Sequence, residues 1–114
     1  MAVVLLFVQC TYHNKEDYFR DSPDLCNTAN MSFSADIFPI FQNNCIMCHN
    51  NNSSPAGVNF SSYENVKPVA ESGRLLGAIK HEDGFYPMPQ SAPKLDDCTI
   101  NKISAWIDQG LQNN

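Results

Sequence analysis

Cys45, Cys48 and His49 stand together in the stretch Cys45-Ile46-Met47-Cys48-His49. Two thiols three residues apart on a helix share one face, with β-carbons about 5–6 Å apart. That spacing lets both sulfurs reach the two vinyl groups on one side of a porphyrin. The imidazole that follows at once can turn under the ring and ligate its iron. Cys-x-x-Cys-His is the attachment pattern of a c-type haem. Two other chemistries compete for it. A thioredoxin-like dithiol calls for a βαβ setting, and no strand-rich pattern surrounds Cys45. A structural zinc site calls for a fourth ligand, usually from a second Cys or His pair. Cys26, Cys98, His13 and His81 are the candidates, and none has the paired spacing.

A sixth ligand for such an iron is expected from Met88, in Gly84-Phe85-Tyr86-Pro87-Met88-Pro89. Both prolines fix their own φ, and each pushes the residue before it toward extended conformations. A stiff loop reduces the entropy lost when a weak thioether ligand is held in place. His81, seven residues earlier, is the rival and would give a bis-histidine site. Met47 lies inside the attachment motif, and Met31 precedes the first expected helix. Methionine with histidine raises the reduction potential relative to two histidines. His49 is expected to donate its other ring N–H to a backbone carbonyl in the loop Asn50 to Gly57, with Pro55 as the acceptor.

The remaining cysteines follow from arithmetic. Of five, Cys10, Cys26 and Cys98 lie outside the motif. Ala2 to Val8 is an unbroken apolar run, too short to span a bilayer, and Cys10 follows it. The pattern reads as a secretory signal over residues 1–9 with a lipid-bearing Cys10, although no basic residue precedes the run and Gln9 stands where such signals prefer a small residue. Cys26 and Cys98 are then left to pair as a disulfide in an oxidising compartment. The expected location is extracytoplasmic, in the periplasm or on the outer-membrane surface.

The elements that must position these groups read as helices. Residues 10–33 are expected to be a polar tether, and residues 34–112 a single domain. Ser34 is the expected N-cap of a first helix, with Asp36 in its first turn, Pro39 near its start and an apolar face of Ile37, Phe38, Ile40 and Phe41. Ser61-Ser62-Tyr63-Glu64 opens a second helix, which runs to about Ala70 and ends at Ser72-Gly73. Arg74 to Lys80 forms a short helix whose Leu75, Leu76 and Ile79 are expected to line the cofactor pocket, with Arg74 either paired with a haem propionate or solvated. A last helix starts at Asp96 or Asp97 and has Gly110 as its natural stop; Ile100, Ile103, Ile107 and Leu111 recur at helical spacing, and Trp106 widens that face. This helix is expected to cross the first helix near Phe38 and Phe41.

The chain has 114 residues, 43% of them apolar and 17% charged. That is one globular domain, small enough to gain from a cofactor or a cross-link as a staple. The net charge of −5, from 12 acids and 7 bases without a basic run, gives no sign of a nucleic-acid surface, and no nucleic-acid partner is expected.

The order of these features resembles the class I cytochrome c domain. A helix leads into Cys45-x-x-Cys48-His49, then come a Gly/Pro-bearing loop, a helix, the Met88-Pro89 loop and a helix with Ala105-Trp106-Ile107. Within that class the chain is similar to the short bacterial monohaem versions on exported lipoproteins. The resemblance covers residues 34–110. It implies an all-α fold of about four helices around one covalently bound haem c, with Cys45 and Cys48 as attachment points and His49 and Met88 as axial ligands. The Cys26–Cys98 pair departs from the simplest members.

The expected function is that of an electron carrier between extracytoplasmic redox proteins, tethered to a membrane through Cys10, rather than an enzyme. No paired carboxylates or Ser-His-Asp set suggests catalysis. The alternative is a haem c sensor or peroxidase-type subunit whose distal ligand can be displaced.

Overall fold

The structure is a computed structural model that describes residues 26–114. The signal at 1–9, Cys10, His13 and most of the tether lie outside the described residues.

Ser32, two residues ahead of the expected cap, starts the first helix. Its hydroxyl accepts the Ala35 N–H at 3.2 Å, and the Asp36 carboxylate accepts the Ser32 N–H at 2.8 Å. The two groups cap each other reciprocally. Asn114 satisfies two more amides of the first turn: its side-chain oxygen accepts the Phe33 N–H at 3.0 Å, and its carbonyl accepts the Ser34 N–H at 2.9 Å. The helix begins as a π-turn, Phe33–Ile37, and continues as α1, Phe38–Asn44. Phe33, Ile37 and Phe41, four apart, are its buried residues.

The last residues of the stretch expected to be tether pack with the domain. Met31 and Phe33 are core residues, 4% and 6% exposed. Gln109 pins the segment ahead of them, accepting the Met31 N–H at 2.8 Å and donating to the Thr28 carbonyl at 2.7 Å. Two isolated apolar residues in a polar stretch carry no periodicity, so their burial depends on contacts distant in sequence.

Beyond the motif and a 3₁₀ turn, Pro55–Gly57, α2 covers Tyr63–Glu71. Ser62 caps it by accepting the Asn65 N–H at 3.4 Å, and Val66, Val69 and Ala70 are buried. The helix continues through Pro68. After Ser72 and Gly73, α3 covers Arg74–Ile79. Asp96 caps α4, Asp97–Asp108, by accepting the Thr99 N–H at 2.9 Å and the Thr99 hydroxyl at 2.6 Å. Among the described residues there is no strand, only a bridge between Asn50 and Ser53.

α2 packs on α3, α3 on α4, and α4 on the π-turn. The crossing expected at Phe38 and Phe41 lies at the π-turn instead, because the Phe41 ring is taken by Phe60, at 4.9 Å between centroids. Trp106, fully buried, meets Phe33 at 5.5 Å, and Tyr63 stands edge-on to Phe33 at 5.2 Å. Tyr and Trp packed into or against a core need partners for their polar ends. The Tyr63 hydroxyl donates to the Leu111 carbonyl at 2.6 Å, and the Trp106 indole N–H to the Gln112 carbonyl at 2.9 Å.

Cys26 and Cys98 are at disulfide distance, with Cα atoms 5.4 Å apart. The link ties residue 26 to the first turn of α4. Among the described residues no helix is long and apolar enough to cross a membrane.

Candidate functional site

The end of α1 feeds straight into the Cys-x-x-Cys-His stretch. These residues form a turn rather than a continuation of the helix, and the turn keeps helix-like bonds: the Cys45 N–H donates to the Phe41 carbonyl at 2.8 Å, and the His49 N–H to the Cys45 carbonyl at 3.0 Å. Asn50 fixes the far side of this turn. Its side-chain N–H donates to the Ile46 carbonyl at 2.7 Å, and its side-chain oxygen accepts the amides of Asn52 and Ser53.

His49 is oriented by the loop that follows, though not through Pro55 as expected. Its Nδ1 lies 3.1 Å from the carbonyl oxygen of Val58. The Pro55 carbonyl is occupied by the Val58 N–H at 3.1 Å. The reason is backbone direction: Ala56 and Gly57 take φ values of 54° and 71°, and these two left-handed residues turn the Val58 carbonyl toward the ring. A carbonyl only accepts, so Nδ1 is the donor of this bond, and in the neutral ring that leaves the lone pair on Nε2. Phe60 stands edge-on to the imidazole, with centroids 5.8 Å apart.

A cleft of about 670 Å³ takes in Cys45, Cys48, His49 and Met88 together. That volume is in the range of cofactor pockets. Apolar side chains make up much of its lining: Val58 and Phe60 after the motif, Val69 from α2, Leu75 and Ile79 from α3, and Leu95 before α4. Leu76, expected to line the cleft, packs against the core instead. Arg74 lines the rim and donates to the Ala56 carbonyl at 3.2 Å, joining two lips of the cleft.

Met88 is the methionine that lines this cleft among the described residues. Met47 is 91% exposed and Met31 is in the core. The backbone of Met88 is held at both ends, its N–H donating to the Ala78 carbonyl at 3.0 Å and its own carbonyl 3.0 Å from Nε2 of His81. The Met88–Pro89 peptide is cis. His81, the rival ligand, is exposed and lies outside the cleft lining, its ring nitrogen engaged by Met88.

The two thiols sit in different surroundings. Burial pushes the Cys45 thiol up to about 12, whereas Cys48 is exposed. A dithiol oxidoreductase depends on a lowered thiol pKa and a reactive thiolate, the reverse of what burial does here. No three His, Cys, Asp or Glu side chains among the described residues converge to hold a bare ion. A porphyrin iron needs no such cluster, since only two axial ligands come from the protein. The donor set that shares the cleft, two thiols, an imidazole with a free Nε2 and a thioether, fits a haem c.

Several lining residues escaped sequence reasoning. Val58 and Phe60 alternate around Asn59, which is the period of an extended segment with one face inward. Phe85 presses on Gly77 of α3, where a Cβ would come within 2.5 Å of the ring. A glycine inside a helix is the sequence trace of such a close approach.

No protein-family model, no curated protein and no solved structure matches this chain.

Proposed function

We propose that this chain is a monohaem c-type cytochrome that carries single electrons between extracytoplasmic redox proteins. The observation that carries the reading is the sharing of one largely apolar cleft by Cys45, Cys48, His49 and Met88. When bound there, haem c supplies a one-electron iron couple. Cys45 and Cys48 would hold it covalently, and His49 through Nε2 and Met88 through its sulfur would supply the protein's ligands to the iron. The apolar side chains would exclude water, and Arg74 at the rim would be available to pair with a propionate. The Val58 carbonyl fixes the tautomer and orientation of His49, as outer partners of metal-bound histidines do.

The class I resemblance supports a fold of four helices around the cofactor. The Cys26–Cys98 pair supports an oxidising compartment, and lipid on Cys10 would anchor the protein at a membrane surface.

Two experiments test the reading. Carbon monoxide added to the reduced, haem-loaded protein should leave the visible spectrum unchanged, because His49 and Met88 together would leave the iron no open position. A shift of the spectrum would transfer the proposal to a sensor or peroxidase-type subunit. Met88→Ala should abolish the far-red sulfur-to-iron band of the ferric protein and lower its reduction potential. Survival of that band in the variant would rule Met88 out.

A further inference from the structure

We infer that His81 is a positioning residue for Met88: its imidazole clamps the Met88 carbonyl to the end of α3 and so aims the sulfur into the cleft. The inference rests on the proposed role of Met88 as an axial ligand.

Four observations converge on it. His81 Nε2 lies 3.0 Å from the Met88 carbonyl oxygen, and because that oxygen only accepts, Nε2–H is the donor. The Met88 N–H donates to Ala78 at 3.0 Å, three residues before His81. The peptide planes on both sides of the Met88 Cα are therefore bonded to one short segment, Ala78 to His81. Met88 lines the cleft while His81 does not. Finally, His81 has φ 55°, a left-handed conformation that a non-glycine residue adopts at a cost. Glycine or asparagine would meet that backbone demand more easily, yet the position carries a side chain that spans the loop.

Pro87 and Pro89 stiffen the loop locally, but they do not set where it sits relative to α3. A methionine side chain has three rotatable bonds. Bonding both neighbouring peptides fixes the Cα–Cβ direction, so only the side-chain rotors remain to be ordered when sulfur meets iron. His81 acts on the iron through Met88 and does not replace it.

The test uses the full-length, haem-loaded protein and imidazole as a competitor for the Met88 position, read by loss of the far-red band in the ferric form. His81→Ala should let imidazole displace Met88 at about three- to tenfold lower concentration, the worth of one hydrogen bond. His81→Gly, which removes the ring without backbone strain, should behave like His81→Ala. His81→Gln, which keeps a side-chain N–H donor, should recover most of the loss. An unchanged imidazole titration in both His81→Ala and His81→Gly would overturn the clamp, as would a change in His81→Ala alone, which would mark backbone strain as the cause. A wild-type protein that carries haem but lacks the band would instead defeat the Met88 assignment, and the clamp with it.

Discussion

His49 and Val58 are tied at 3.1 Å from imidazole Nδ1 to carbonyl oxygen. The bond is closed from the other side by the Phe60 N–H, which donates to the His49 carbonyl at 3.0 Å. Together they make a small frame around the ring, and the frame depends on the turn through Ala56 and Gly57.

That turn gives the first prediction. Gly57 has φ 71° and open space around its Cα, so a side chain there meets backbone strain and no steric block. Gly57→Ala should lower stability by about 1 kcal/mol, seen as a lower urea midpoint. Gly57→Asn should lose less, because asparagine tolerates the left-handed region. Equal stability of all three proteins would show that the turn does not constrain the frame.

A second prediction concerns Gly77 and Phe85. A Cβ on Gly77 would stand 2.5 Å from the Phe85 ring, so the ring must move, and Phe85 belongs to the same loop as Met88. Gly77→Ala should destabilise the protein by about 1–3 kcal/mol, the usual cost of overpacking, and weaken the far-red band. Removing the ring in the double variant Gly77→Ala/Phe85→Ala should relieve the clash, so the two effects should not add. Simple additivity would place the strain elsewhere.

The link between Cys26 and Cys98 spans 72 residues. A loop of that length is worth about 4 kcal/mol in the chain-entropy account. Cys26→Ser/Cys98→Ser should show a loss of that order in denaturant unfolding. Dithiothreitol should destabilise the wild type similarly while leaving thioether-bound haem in place, whereas it should not affect the double variant. Haem released by the reductant would argue against thioether attachment.

Acid should loosen α4. The carboxyl of Asp96 is held below the ordinary aspartate range, chiefly by the Thr99 hydroxyl and next by the Thr99 amide. A carboxyl with a depressed folded pKa contributes stability above its unfolded pKa, about 3.9, and loses that contribution as pH falls through the folded value. Stability should therefore drop with acidity below about pH 4, and Asp96→Asn should show a shallower drop. Identical acid profiles for the two proteins would remove Asp96 as a contributor.

Much of this architecture is legible in the chain. The Asp96 cap, the Ser72-Gly73 break and the spacing of Ile100, Ile103 and Ile107 are local signals, and the helices follow them; at the second helix the cap falls on Ser62, one residue past the Ser61 of the expected Ser-x-x-Glu box. The Cys-x-x-Cys-His stretch and the stiff Met88 loop are local patterns too, and both line the one cleft. What was not legible is set by direction and distance. The first helix starts at Ser32 because Asp36 and Asn114 complete its cap, one from the next turn and one from far along the chain. Val58 rather than Pro55 meets His49 because Ala56, a non-glycine residue, takes φ 54°, which composition does not announce. The His81–Met88 bond joins an exposed imidazole to a backbone carbonyl, and backbone acceptors leave no mark on sequence.

The central claim is covalent attachment of one haem through Cys45 and Cys48. Its most direct measurement is the intact mass of the protein exported from a host with working cytochrome c maturation, read beside its pyridine haemochrome spectrum. The account predicts a red protein heavier than its polypeptide by one haem, with a haem c spectrum, and loss of the added mass when both cysteines are replaced by alanine. A colourless product at the mass of bare polypeptide would contradict it.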